Sequence, residues 1–280
     1  EMINDVTEST SENATNQQLP PHAFELFLVD TQMTLIESWN RELKKLPSKV
    51  STKDPTPCLK VQLHNAPFQE LLKTHQAECM VSPANSFGLM DGGIDYYISE
   101  YYGGVDKLIP LVQKGIDLEW CGEQNVGTCL LVDVGELVGD SNSADQGRKN
   151  LPRYIAHCPT MRTPKALDTE DDIVYRCTWA MLCAVRSHNA KVLAGSTKHQ
   201  RINAVICAGF GTGVGGYPEK LCAKQMMLAI RNFIEAPANT GHRPKTESEG
   251  TWGSLWLIHW SYARKIESAV SALFRKDRPK

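Results

Sequence analysis

No stretch of this chain is apolar for long enough to span a bilayer. The first twenty residues, Glu1 to Pro20, lack the basic start and apolar centre of a secretion signal. They are polar and rich in Ser, Thr, Asn and Gln, and read as a disordered tail. Strong charge of either sign is missing: 30 basic against 32 acidic residues leave a net charge of −2, which makes naked nucleic acid an unlikely partner. There is no Cys-x-x-Cys pair, and the eight histidines show no metal-ligand spacing, so no metal or cofactor is called for. The nine cysteines are an odd count, and Cys79, Cys129, Cys158 and Cys207 sit in apolar, strand-like runs. They read as buried free thiols, which places the protein in a reducing compartment, cytoplasmic or nuclear. The triphosphate-binding pattern G-x-x-x-x-G-K-[ST] and the nucleophile elbow G-x-S-x-G are both absent.

What remains is an alternation of strand and helix signals. Phe24 to Val29 is nearly all apolar and reads as a buried strand, with Asp30 or Thr31 able to cap the helix that carries Leu35, Trp39, Leu43 and Leu46. Leu59, Val61 and Leu63 mark a second strand, and Phe68 to Lys73 a short helix. Further strands are expected from Cys79, over Val126 to Val134, over Tyr154 to Cys158 and over Ile202 to Ala208. Thr169 and Asp172 have the spacing of a capping box before a long helix with Ile173, Cys177, Met181 and Val185 on its buried face. Helices are also expected from Val105, from Pro218 to Ile234 and from Trp252 to Phe274, where Trp256 and Trp260 share a face as packing residues. Residues 139–150 and 236–250 are polar and read as surface insertions in a single domain over residues 21–280. This alternation predicts a layered α/β fold, with ligands at the carboxyl ends of the strands.

Two strand–loop–helix junctions carry the chemistry. The first runs from Cys79 through Ser82-Pro83-Ala84-Asn85 to Asp91-Gly92-Gly93-Ile94-Asp95, with a helix ending at Gly103-Gly104. The Ser-Pro-Ala-Asn run is expected to end the strand. The glycines admit a ligand close to backbone, and free N–H groups at the helix start attract an anion. The second runs Gly209-Phe210-Gly211-Thr212-Gly213-Val214-Gly215-Gly216-Tyr217-Pro218, five glycines in eight residues from Gly209 to Gly216, with Pro218 at the first helical position. Successive N–H groups in such a loop can wrap a diphosphate. Gly211, Gly213 and Gly216 also fit G-x-G-x-x-G. Glu235, however, ends a helical run rather than a strand, and only one more helix follows, so a dinucleotide (NAD-type) enzyme is the alternative reading, not the first.

Together these loops resemble the macro domain family, in particular a divergent macro-like branch. The resemblance implies a three-layer α/β/α sandwich with a mixed central sheet and a cleft for ADP-ribose or an ADP-ribosylated protein. It implies that Asn85 contacts the distal ribose and Asp95 sits at the reacting end. Ser82, Ala84, Gly92, Gly93 and Ile94 would line one side, Gly211, Thr212, Gly213, Val214, Gly215 and Gly216 would hold the diphosphate, and Tyr217 would also contact the ligand. Asn65 stands nearest to the family's adenine-reading Asp, Ser82 replaces the first Asn of its loop, Ser99 replaces a His, and Gly215 replaces an aromatic residue, leaving the site more open there.

The chemistry so implied is hydrolysis of an ADP-ribosyl ester or of ADP-ribose-1″-phosphate by water, with Asp95 as positioned base and Asn85 fixing the ribose. The helix dipole is expected to lower the pKa of Asp95 and keep it ionised. Asp91 and His64 are the next candidates for its role. A non-catalytic ADP-ribose reader is the other form of the same reading.

Overall fold

The computed structural model describes residues 19–46, 59–138, 150–236 and 252–275. Apart from Leu19, Pro20, Asn150 and Ala236, the N-terminal tail and both insertions lie outside these residues, as do the side chains of Trp256 and Trp260.

Six strands form one sheet: β1 (Glu25–Asp30), β2 (Lys60–Asn65), β3 (Cys79–Asn85), β4 (Leu130–Asp133), β5 (Tyr154–Met161) and β6 (Ala204–Cys207). Their spatial order is β2-β1-β6-β3-β5-β4, all parallel except β4, which runs antiparallel to β5. The helices are α1 (Met33–Leu43), α2 (Phe68–Thr74), α3 (Gly93–Tyr101), α4 (Val105–Trp120), α5 (Ile173–Leu193), α6 (Glu219–Ile234) and α7 (Trp252–Arg275). None among the described residues is long and apolar enough to cross a membrane.

The apolar runs are continuous because both faces of the sheet are covered. In β1, Leu26 and Leu28 enter a core shared with α1, α5 and α6, while Phe27 and Val29 enter a second core under α2, α3 and α4. This is the expected three-layer sandwich with a mixed sheet. Ile266, Ala269, Val270 and Leu273 of α7 pack outside it, on Tyr175, Leu228 and Ala229.

Several local expectations change. β3 does not stop at Ser82; it continues through Pro83 to Asn85, paired with β5. β6 pairs with β3 only at Cys79 and Met80, so Pro83 has a ladder partner on one side, where a missing N–H is tolerated. β5 likewise runs through Pro159, whose carbonyl accepts the N–H of Gly127 at 2.9 Å. The capping box does not form: Asp172 is the N-cap of α5 without a side-chain cap, and its carboxylate instead takes Arg176 Nε–H at 2.7 Å. Pro218 is the N-cap of α6 rather than its first residue.

Beyond α3, Gly103 and Gly104 turn the chain with φ of +100° and +112°, and Tyr102, wholly buried, donates its hydroxyl to the Pro152 carbonyl at 2.6 Å. That bond fixes the far end of α3 to the segment leading into β5. Tyr102→Phe is expected to cost about 1–3 kcal/mol in a denaturant titration, since it leaves a buried carbonyl without its donor.

Candidate functional site

A cleft of about 670 Å³ opens at the carboxyl ends of β1, β3, β5 and β6. Its position follows from the shortness of β6, which ends at Cys207 while β1 runs to Asp30 and β3 to Asn85. Between the longer neighbours the chain leaves the sheet as the loop from Ala208 to Gly215, which forms one wall. Asp91 to Asp95, at the start of α3, form the opposite wall.

The second loop is shaped by its own backbone. Tyr217 N–H bonds the Gly211 carbonyl at 2.9 Å, and Gly216 N–H bonds that of Gly213 at 2.9 Å. Leu167 N–H bonds the Gly215 carbonyl at 2.8 Å. Among the described residues, the N–H groups of Gly211 through Gly215 find no acceptor within the protein. The glycines differ in purpose. A Cβ on Gly215 would meet the Gly211 carbonyl oxygen at 2.6 Å and the Leu167 side chain at 2.8 Å, so closure of the loop demands glycine there. A Cβ on Gly213 would meet nothing within 4 Å; that position faces open space.

On the opposite wall, Gly92 is the N-cap of α3 and makes no side-chain cap, leaving the N–H groups of the first turn free. The walls approach each other where Val214 lies 3.6 Å from the position a Cβ on Gly93 would occupy. Among the described residues no Lys, Arg or His lines the cleft, whereas Asp30, Asp91 and Asp95 do. An anion held here must therefore be met by backbone N–H groups rather than by cationic side chains.

Asp95 is 6% exposed and accepts the Ser82 hydroxyl at 2.8 Å. Burial pushes its pKa up to about 7; the Ser82 bond works against that and the neighbouring Asp91 carboxylate adds to it. The expected lowering by the helix dipole is thus overturned: loss of water outweighs the α3 N-terminus. A carboxyl that titrates near neutrality suits a general base or acid.

Ala84, Asn85, Gly92, Gly93, Ile94 and Asp95 are brought together in the cleft with Gly211, Thr212, Gly213, Val214 and Gly215. Asn85 is anchored: its Oδ1 accepts the Phe87 N–H at 3.0 Å and its Nδ2 donates to the Leu89 carbonyl at 3.0 Å, leaving one amide hydrogen. Four expected residues stand elsewhere. Ser82 is wholly buried beneath the cleft floor and meets Asp95 instead of lining the cleft. Asn65 ends β2 and its side chain is spent on the neighbouring strand, Nδ2 donating to the Asp30 carbonyl at 3.1 Å, so it does not line the cleft although the residues just after it do. Tyr217 is buried, its hydroxyl bonded to the Asp171 carbonyl at 2.8 Å, and Gly216 serves the turn behind the wall. His64 is likewise outside the cleft, packed edge-on to Phe27. Ser99 holds the Met90 carbonyl at 2.8 Å. Leu167 stands 2.8 Å from where a Cβ on Gly215 would lie, without itself lining the cleft.

Asp30, which reads in the sequence only as a cap, is a cleft residue. Its carboxylate accepts the Gln32 N–H at 2.8 Å, with the N–H groups of Gly209 and Thr31 also directed at it. Tyr97, Pro67 and Gln69 also line the cleft, unsignalled by any motif.

The model of the macro-like domain family matches residues 12–236. The chain belongs to the macro-like domain family. An uncharacterized protein of Aquifex aeolicus is 29% identical over 157 residues, covering 56% of this chain and 74% of that one. Solved structures similar to this macro-like chain include an Oceanobacillus iheyensis macrodomain with ADP, at 21% identity and a TM-score of 0.42, covering 59% of this chain and 73% of the other. A Trypanosoma brucei macrodomain in complex with ADP-ribose is 24% identical with a TM-score of 0.35, covering 57% and 53%.

The buried Asp95 has a consequence for stability. Its pKa is raised above the unfolded value of 3.8, so the folded state holds more protons and the favourable contribution present at low pH is lost as pH rises from about 4 through about 7. His157 acts oppositely: burial lowers it from 6.5 to about 3, so its contribution is lost as pH falls below 6.5. Asp95→Asn is expected to be more stable than the parent at pH 8, by a few kcal/mol at most. It should also lose stability more steeply between pH 6.5 and 4, where the His157 slope is no longer offset. Thermal melts of both proteins across that range check the two signs.

Proposed function

We propose that the cleft binds ADP-ribose and that the protein hydrolyses a linkage at its distal ribose. The observation that carries this reading is the pair of facing backbone donor sets, Gly211 to Gly215 and the first turn of α3, in a cleft without cationic side chains. Membership of the macro-like family supports ADP-ribose as the anion they serve.

In this reading the diphosphate lies on the Gly211–Gly215 loop. The adenine points to the end bounded by Asp30, Pro67 and Gln69, with Asp30 in the role that Asn65 was expected to fill. The distal ribose meets the remaining amide hydrogen of Asn85. Asp95, ionised, positions and deprotonates a water that attacks at that end; the α3 N–H groups receive the developing negative charge. Only the ionised fraction can take a proton, so turnover rises with pH through about 7.

ADP-ribose at about 100 times its dissociation constant is expected to add roughly 2.7 kcal/mol of stability, visible as a higher melting temperature. Gly213→Val fills open space on the wall and should remove that shift while leaving the unliganded melt unchanged. Gly215→Ala, by contrast, should lower the unliganded melt. Asp95→Ala should keep ADP-ribose affinity within about tenfold, or roughly 1.4 kcal/mol. It should lower turnover of an ADP-ribosyl ester or of ADP-ribose-1″-phosphate by about a hundredfold or more. A thermal shift with no turnover of either substrate by the parent assigns a reader in place of a hydrolase. No shift with ADP-ribose sinks both.

A further inference from the structure

Behind Asp95 lies a buried polar group that the proposed chemistry does not use. His157 is wholly buried in the middle of β5, and its Nε2 has no hydrogen-bond partner among the described residues. Its Nδ1 lies 2.6 Å from Gln124 Oε1. The Gln124 amide nitrogen donates to Thr128 Oγ1 at 3.0 Å and to the His157 carbonyl at 3.2 Å, so Oε1 is the accepting atom and Nδ1 carries the imidazole hydrogen. Nε2 is therefore a bare acceptor in the interior, and such a group is costly unless some state of the protein supplies a donor.

The strand register points to that donor. Ser82 and His157 are direct partners across the parallel pair β3–β5, so their side chains stand on the same face of the sheet. Ser82 shows which face this is, because its hydroxyl reaches Asp95 on α3. The part of α4 packed on this side carries Leu108, Val112 and Ile116, all apolar. Asp91 is the other ionisable group acting on Asp95, and none acts on His157, whose depression comes from burial alone.

We propose that the Ser82 hydroxyl is a two-position donor shared by Asp95 and the buried His157, which makes Ser82 and His157 positioning residues that set the protonation of Asp95. With Asp95 ionised, Ser82 donates to its carboxylate, as the structure shows. When Asp95 takes a proton from the cleft, its new O–H is met by solvent on the cleft side, and the Ser82 side chain rotates about Cα–Cβ to carry its hydroxyl to His157 Nε2, which it does not reach while bonded to Asp95. One proton enters from solvent, no covalent bond to carbon changes, and every donor has an acceptor in both states. The imidazole stays neutral throughout. The functional consequence rests on the reading of Asp95 as the working group; the proton coupling itself does not.

The test is therefore made on the protein without ligand, by following the Asp95 side-chain carboxyl carbon in an NMR pH titration. Ser82→Ala removes the donor to the ionised form and is expected to raise the midpoint by roughly half a pH unit or more. His157→Leu removes the acceptor that favours the protonated arrangement and is expected to lower it by a similar amount, while His157→Gln, which keeps an acceptor, stays near the parent. In the Ser82→Ala background, His157→Leu should have no further effect, because the coupling runs through the hydroxyl. A packing role alone would not give shifts of opposite sign that collapse in the double variant. Ser86 also carries a buried hydroxyl without a partner among the described residues, and its carbonyl accepts the Gln124 N–H at 2.9 Å. Ser86→Ala should leave the midpoint in place. An unchanged or raised midpoint in His157→Leu overturns the proposal, as does a Ser86→Ala effect equal to that of His157→Leu. If His157→Leu does not fold, a midpoint in Ser82→Ala at or below that of the parent overturns it equally. Absence of an ADP-ribose thermal shift, measured separately, would remove the functional reading without touching this coupling.

Discussion

The cleft depends on backbone N–H groups that have no partner among the described residues. A polypeptide normally satisfies such groups in ladders and helices, and leaving five in succession open is costly unless water or a ligand meets them. Here they stay open because β6 is four residues long and its continuation is pulled out of the sheet between longer strands. The loop is then tied at its root: Tyr217 to the Gly211 carbonyl, Leu167 to that of Gly215, and Asp30 to the N–H of Gly209. Its outward donors are held in place without being consumed. The start of α3 supplies the same kind of group for a different reason, since the first turn of any helix has no intrahelical acceptors. Two independent features of backbone geometry thus face one another, and side-chain charge is not needed to hold an anion.

Among the described residues no cationic side chain lines the cleft, so its carboxyl groups stand there without a counter-charge. A lysine near Asp95 would hold it ionised and low; without one, burial wins over the α3 dipole and the pKa approaches neutrality. The same step accounts for Ser82. A desolvated carboxylate needs at least one donor, and the hydroxyl beneath it provides that bond from the sheet side, leaving the other oxygen of Asp95 uncommitted.

Much of this was legible in the sequence. Glycine clusters placed between an apolar run and a helical period marked both walls, because close backbone approach and free N–H groups need glycine in that context. What could not be read was the lateral order of the strands. Asn65 and Asp30 both end strands and look equivalent along the chain, yet they are paired across β1–β2, Asn65 gives its amide to the Asp30 carbonyl, and of the two only Asp30 lines the cleft. Side-chain direction in β3 was hidden for a related reason. The Ser-Pro-Ala-Asn run looks like a loop, in which any residue could turn to the ligand, whereas a strand fixes alternation and sends Ser82 inward. Pro83 reads as a stop in the sequence because the one-sided ladder that tolerates it depends on where β6 ends.

Gly215 shows how a departure from a family pattern can be tied to the packing of a distant segment. Loss of an aromatic side chain there reads as an opening of the site. In the fold, Leu167, from the connection between β5 and α5, packs 2.8 Å from where a Cβ on Gly215 would stand and bonds the Gly215 carbonyl through its own N–H, without lining the cleft. A side chain at 215 and a leucine at 167 exclude one another sterically, so glycine at 215 is the condition for the packing that Leu167 provides. The loop is closed from behind by a neighbouring segment instead of from above by its own residue. This leaves its free N–H groups, and the open space at Gly213, as the surface the cleft presents to an anion.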